Sequence, residues 1–136
     1  MITDSHLAFV RTRGSKFGRF LMGFLFFASG LSMLFIMGPA NVAGDFESLN
    51  VPLPALAAWG AIIVKIVAGG ALMVGKYVPK AAAILILFTL IATLLAHMSP
   101  VVDPAFPTGL LKNLAIVGGL LYVMAFGPDG INVAKP

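Results

Sequence analysis

Cysteine is absent from the 136 residues, which excludes disulfides, thiol catalysis and thiolate metal ligation. Charge is nearly as scarce. Only 10% of the residues are charged, against about 25% in an average soluble chain. Acids are the rarest of all, with five Asp and Glu against nine Lys and Arg. A chain with so few charges lacks the polar surface that a soluble domain shows to water. Internal repeats and low-complexity tracts are also missing, so a solenoid or a disordered tail-like chain is not suggested.

What is present is apolar. Hydrophobic residues make up 60% of the chain and the mean hydropathy is +1.02. A hydrocarbon core about 30 Å thick is crossed by roughly 20 apolar residues in a helix, and four stretches meet that need, at about 20–38, 55–75, 81–98 and 108–126. The reading is an all-α membrane four-helix bundle forming a single domain over 1–136. In lipid each span must satisfy its own backbone hydrogen bonds, which selects helices over open strands. The breaks fall where proline and polar residues cluster. Gly38-Pro39 closes the first helix, a polar loop is expected over 39–54, and Pro52 and Pro54 set the second start. "KYVPK" makes a tight basic turn, the three prolines of "SPVVDPAFP" break the third helix, and Gly127-Pro128 ends the fourth. The first run follows Arg11, Arg13, Lys16 and Arg19 and has no small-residue cleavage site after it, so it reads as a retained helix.

The net charge of +4 is explained by topology without nucleic acid, because the basic residues sit beside helix ends. On one side lie Arg11, Arg13, Lys16, Arg19, Lys76, Lys80 and Lys135. The other side has Lys112 with Asp45, Glu47 and Asp103. Both termini are therefore expected in the cytoplasm, with the acidic loops outside.

A few polar residues inside the spans are candidates for chemistry. Lys65, in "GAIIVKIVAGG", lies about 15 Å from either surface at 1.5 Å rise per residue. A lysine there costs about 2.5 to 3.5 kcal/mol on insertion scales, which the rest of the helix offsets. Ala57, Ala61, Lys65 and Gly69 share an i+4 stripe of small residues, so Lys65 is expected to face the bundle. It could be tethered to carbonyls and hydroxyls, or it could hold an anion, a proton or a polar headgroup. Thr89, Thr93 and His97 form a second i+4 stripe. The threonines are expected to bond their own i−4 carbonyls, and His97 could move a proton or bond a quinone-like carbonyl. Asn113 must bond across the bundle, and Lys112 is expected to snorkel to the outer surface. Ser29, Gly30 and Ser32 read as packing devices. Lys65, His97, Thr93 and Asn113 thus make up the candidate polar site. No haem or metal motif accompanies them, and a quinone is the cofactor they could take.

Read in order, "RFLMGFLFFASGL", "FESLNVPLP", "KIVAGGALMVG", "IATLLAH" and "LLKNLAIVGGLL", closed by "FGPDG", form a pattern that resembles the DoxX family of small four-helix membrane proteins over about 19–131. The matching positions are Arg19, Gly23, Phe26, Gly30, Pro52, Gly69, Gly75, His97, Lys112, Asn113, Gly118 and Gly119. Two positions depart from the family. It commonly carries a lysine three residues after Gly30, where this chain has Met33, and a glutamate four residues before Gly69, where this chain has Lys65. The charge pair that those two positions could form between helices 1 and 2 is therefore lost here. The resemblance implies a bacterial inner-membrane protein, linked in some members to thiosulfate:quinone oxidoreductase or to oxidative-stress membrane complexes. The expected role is an accessory subunit of a quinone-linked redox complex without catalytic activity of its own. A small transporter or lipid- and anion-binding module, and a purely structural subunit, are the alternatives. The expected partners are the lipid bilayer, redox-complex subunits and a second copy of the chain.

Overall fold

A single helix, α1, runs over Asp4–Met37 and spans about 50 Å at 1.5 Å per residue. This exceeds the roughly 30 Å of hydrocarbon it has to cross. Its first turns, bearing Arg11, Arg13, Lys16 and Arg19, therefore extend beyond the apolar part. The helix begins well before the expected residue 20, because arginine and lysine are good helix formers even where hydropathy is low. The computed structural model describes residues 1–127. Lys135 and the end of the "FGPDG" stretch lie outside the described residues.

Two short segments of α1, Val10–Gly14 and Met33–Met37, wind as π-helix. Such wider turns are often found at functional sites, and the second begins at Met33. After Gly38 comes α2, Pro39–Ser48, where a polar loop was expected. Pro39 stops α1, yet it also occupies the first turn of α2, where its missing N–H costs nothing. Val42 fixes α2 to the body by packing with Met33, Ala58, Ala61 and Ile62.

Three more helices complete the chain, α3 Pro54–Val74, α4 Val78–Ala96 and α5 Thr108–Phe126. Pro54 and Pro79 lie in the first turns of α3 and α4, as proline's fixed φ favours. α4 starts at Val78 rather than near 81 for this reason. The described residues contain no strand.

α1 packs most extensively on α3, and α4 on α5, while α3 and α4 join the two pairs. α1 and α5 touch only lightly. At the α1–α3 seam a Cβ on Gly23 would lie 2.6 Å from the Gly69 carbonyl oxygen, and one on Gly69 would lie 2.7 Å from the Phe27 nitrogen. Only hydrogen side chains let the two backbones meet there. Leu72, Val78, Ala82, Leu85 and Leu120 fill the core beside that seam. Leu56, Ile63, Val67, Leu87, Leu94 and Leu121 point outward, the arrangement of a protein whose solvent is lipid. α1, α3, α4 and α5 are each long and apolar enough to cross a membrane.

Candidate functional site

Lys65 lies near the middle of α3, on the stripe that holds Ala61 and Gly69, both buried. Small neighbours bring α1 close on that face, so the lysine side chain meets α1 rather than lipid. Its Nζ donates to Ser29 Oγ at 2.9 Å and to Met33 Sδ at 3.4 Å. It also stands 5.4 Å from the centroid of the Phe88 ring, within the range of a cation–π attraction. Among the described residues no carboxylate pairs with it. The contact with Met33 joins the two positions at which the family resemblance places opposite charges. They face each other across α1 and α3, and in this chain one lysine amine remains with a thioether opposite.

Lys65 forms one wall of a cavity of about 250 Å³. Ser29 and Met33 come from α1, Phe46 from α2, Phe88 and Thr89 from α4, and Lys112, Asn113 and Ile116 from α5, with His97 just past the end of α4. Lys65, His97 and Asn113 of the candidate site are thus brought together on one surface. Thr93 is buried one layer behind. Its hydroxyl donates to the Thr89 carbonyl at 2.6 Å, the i−4 bond expected of it, and accepts from Asn113 Nδ2 at 3.0 Å. Thr93 therefore holds Asn113 rather than the cavity's contents. The Thr89 hydroxyl differs from the expectation. It is buried, lines the cavity and has no hydrogen-bond partner among the described residues, since its own i−4 carbonyl is not engaged. A buried hydroxyl left unpaired costs about 1–3 kcal/mol, so it is a donor and acceptor in need of a partner.

The acidic end of the cavity is organised by His97 and Asp103. His97 Nδ1 donates to Asp103 Oδ2 at 2.7 Å, and Asp103 Oδ1 accepts from the Ala105 backbone N–H at 2.9 Å. The hydrogen bond from His97 and then that from Ala105 hold the Asp103 carboxyl below the usual aspartate range. A ring whose Nδ1–H is committed to a carboxylate has its orientation and tautomer fixed, leaving Nε2 as the remaining functional nitrogen. Gly109 allows this latch to close, because a Cβ there would collide with both the Asp103 carboxylate and the His97 ring.

Four contributors were not singled out by the sequence pattern as site residues. Asp103 is separated from His97 by a proline-rich loop whose path spacing cannot give. Ser29 reads as a packing residue, although its place four residues before Met33 puts both on one face of α1. Thr89 reads as self-bonded. Lys112 reads as a snorkelling residue at the surface. It is exposed, yet it also lines the cavity. The chemistry available is binding and orientation: two lysine amines, an unpaired hydroxyl, an amide and an oriented imidazole converge on one small space.

No curated protein and no solved structure matches the chain. The sequence profile of the DoxX family matches residues 14–98, leaving α5 with Lys112 and Asn113 outside the match. That stretch is more than half of the chain and contains Met33, Lys65 and His97 along with most of α1 and the whole of α2, α3 and α4, and so the chain belongs to the DoxX family of membrane proteins.

Proposed function

We propose that the chain is a non-catalytic accessory subunit of a quinone-linked redox complex, multi-pass in the inner membrane with both termini in the cytoplasm. In this reading the cavity around Lys65 takes the quinone headgroup. One observation carries it: a cavity within the bundle in which the Thr89 hydroxyl has no partner and the Lys65 amine has no carboxylate among the described residues. Quinone carbonyls are acceptors, and they would satisfy those donors in a medium where unsatisfied polar groups are costly. Lys65, held by Ser29 and Met33, would direct a proton toward one carbonyl oxygen. His97, whose Nδ1–H is committed to Asp103, would offer the Nε2 lone pair to a hydroxyl of the reduced quinol rather than to a quinone carbonyl. The orientation is supported by the concentration of Arg11, Arg13, Lys16, Arg19, Lys76 and Lys80 at one end of the bundle.

A second reading is a module that binds an anion or an anionic lipid headgroup. It is favoured by the two lysines sharing a cavity that no carboxylate among the described residues lines, and by the engagement of Asp103 with His97. Replacing Lys65 with Met separates these readings. In membranes, quinone-linked oxygen consumption is expected to fall while anion uptake stays unchanged. The reverse pattern would support the anion module, and loss of neither would leave a purely structural subunit. Mild-detergent purification followed by mass spectrometry of co-eluting chains would name the redox partners. Their absence from every preparation would count against an accessory role.

A further inference from the structure

The headgroup cavity, at about 250 Å³, is smaller than the roughly 300–1,000 Å³ that encloses a whole small ligand. A ring fits it, but a quinone carrying a long tail does not, so the tail must continue outside it. Phe46, Phe88 and Ala92 are walls of this cavity and also walls of a second one, of about 280 Å³. The second cavity lies between α3 and α4 and is bounded only by apolar residues, among them Ala57, Gly60, Val64 and Leu95. Gly60 and Leu95 are exposed on the bundle's outer face, so the groove opens where acyl chains would be.

We infer that the two cavities are the head and chain compartments of one amphiphile site, in which the tail of a quinone runs past Phe88 into the groove between α3 and α4. This rests on the reading of the Lys65 cavity as a quinone headgroup site and adds the ligand's direction of entry. The contrast in polarity between the two linings fixes that direction. Lys65, Lys112 and the unpaired Thr89 hydroxyl all lie on one side of Phe88, and the other side carries no polar side chain. A headgroup in the groove would lose every hydrogen bond. An alkyl chain in the cavity would bury the Thr89 hydroxyl against hydrocarbon. Phe88 suits the boundary, because its ring faces the Lys65 Nζ at 5.4 Å and also lines the groove. A third cavity, at the basic end between α1 and α5, shares no wall residue with the headgroup cavity and so does not continue it.

The test uses the purified full chain in mild detergent and two probes, a benzoquinone ring without a tail and the same ring carrying a long alkyl chain. Gly60→Leu fills the groove without a clash, since a Cβ at Gly60 meets nothing within 4 Å. Gly118→Leu is the control, being equally open and outside both cavities. In the native protein the alkyl-chain probe should bind more tightly than the bare ring. Gly60→Leu should weaken the alkyl-chain probe about tenfold relative to the bare ring, and Gly118→Leu should shift neither. If the bare ring binds but the chain adds no affinity, or if Gly60→Leu changes both probes alike or not at all, the chain compartment is wrong while the headgroup site stands. Failure of the bare ring to bind the native protein would remove the headgroup reading and this inference with it. Should Gly60→Leu fail to fold, as judged by helical circular dichroism, Ala57→Leu in the same groove is read by the same criteria.

Discussion

The basic-end half of the bundle and its acidic-end half are built from the same helices but solve different problems. In the basic half, α1 and α3 touch backbone to backbone at Gly23 and Gly69, beside a fully apolar core of Leu72, Val78, Ala82, Leu85 and Leu120. In the acidic half lie all the buried polar side chains of the described residues: Thr89, Thr93, Asp103 and Asn113. α1 winds into a π-helical segment beside Lys65 there, and a cavity remains. The glycine seam of the basic half gives the closest backbone contact, while the acidic half, itself packed around Val42, Ala58 and Ile62, keeps the unpaired Thr89 hydroxyl. Uniform packing throughout would have filled the cavity, and uniform polarity would not have held together in lipid, where van der Waals fit dominates association.

The largest effect is expected at the glycine seam. Gly69→Leu forces a side chain into the Phe27 and Gly23 backbones and should destabilise the protein by about 3 kcal/mol or more, measured by unfolding in detergent. Gly60→Leu, on the same helix but over open space, should stay within about 0.5 kcal/mol of native. Equal tolerance of both would mean that the seam is not the anchor described.

Next in size is Lys65→Met, which removes an insertion cost of about 2.5 to 3.5 kcal/mol and loses the bond to Ser29. Stability should hold or rise, while binding of a quinone ring should fall at least about tenfold. A marked loss of stability would turn Lys65 into a structural tether and remove the contrast between the halves. A smaller effect is expected behind the cavity. A double-mutant cycle of Thr93→Val and Asn113→Leu should return a coupling of about 0.6 kcal/mol, and a coupling of zero would mean that Thr93 does not hold Asn113.

The smallest effect concerns acid. The carboxyl of Asp103 titrates below its unfolded value, near 3.9, because His97 and Ala105 donate to it. Its contribution to stability is therefore fully present above about pH 4 and is lost as pH falls through the lower folded value. Thermal unfolding of Asp103→Asn should differ from native at neutral pH and converge with it in acid. A constant gap across that range would show that the latch does not depend on the carboxylate.

The sequence made legible what periodicity and hydropathy encode. The spans of α3 and α5 were placed almost to the residue, and the small-residue stripe through Ala61 and Gly69 gave the direction of Lys65. Proline misled where it plays two roles. Pro39 signalled the end of α1, but it also begins α2, a ten-residue helix with too little apolar pattern to stand out around Asn41, Gly44 and Asp45. Pro79 shifted the start of α4 in the same way. The basic turns of α1 were invisible to hydropathy, although their helix propensity was favourable. In the site, residues on one helix were readable and residues meeting across loops were not. Thr93 and His97 followed from i+4 spacing, whereas the His97–Asp103 latch depends on the path of a proline-rich loop. The lone hydroxyl of Thr89 also had no sequence signal, since Thr89 and Thr93 have the same residue type and the same face and differ only in their hydrogen bonds.

Equilibrium dialysis of a tail-less benzoquinone against purified native protein and against Lys65→Met asks whether the cavity at Lys65 holds a quinone ring. Saturable binding to the native chain, at least about tenfold weaker in Lys65→Met and unchanged in Gly118→Leu, is the predicted result. Equal affinity in native and Lys65→Met, or no saturable binding to either, would contradict it.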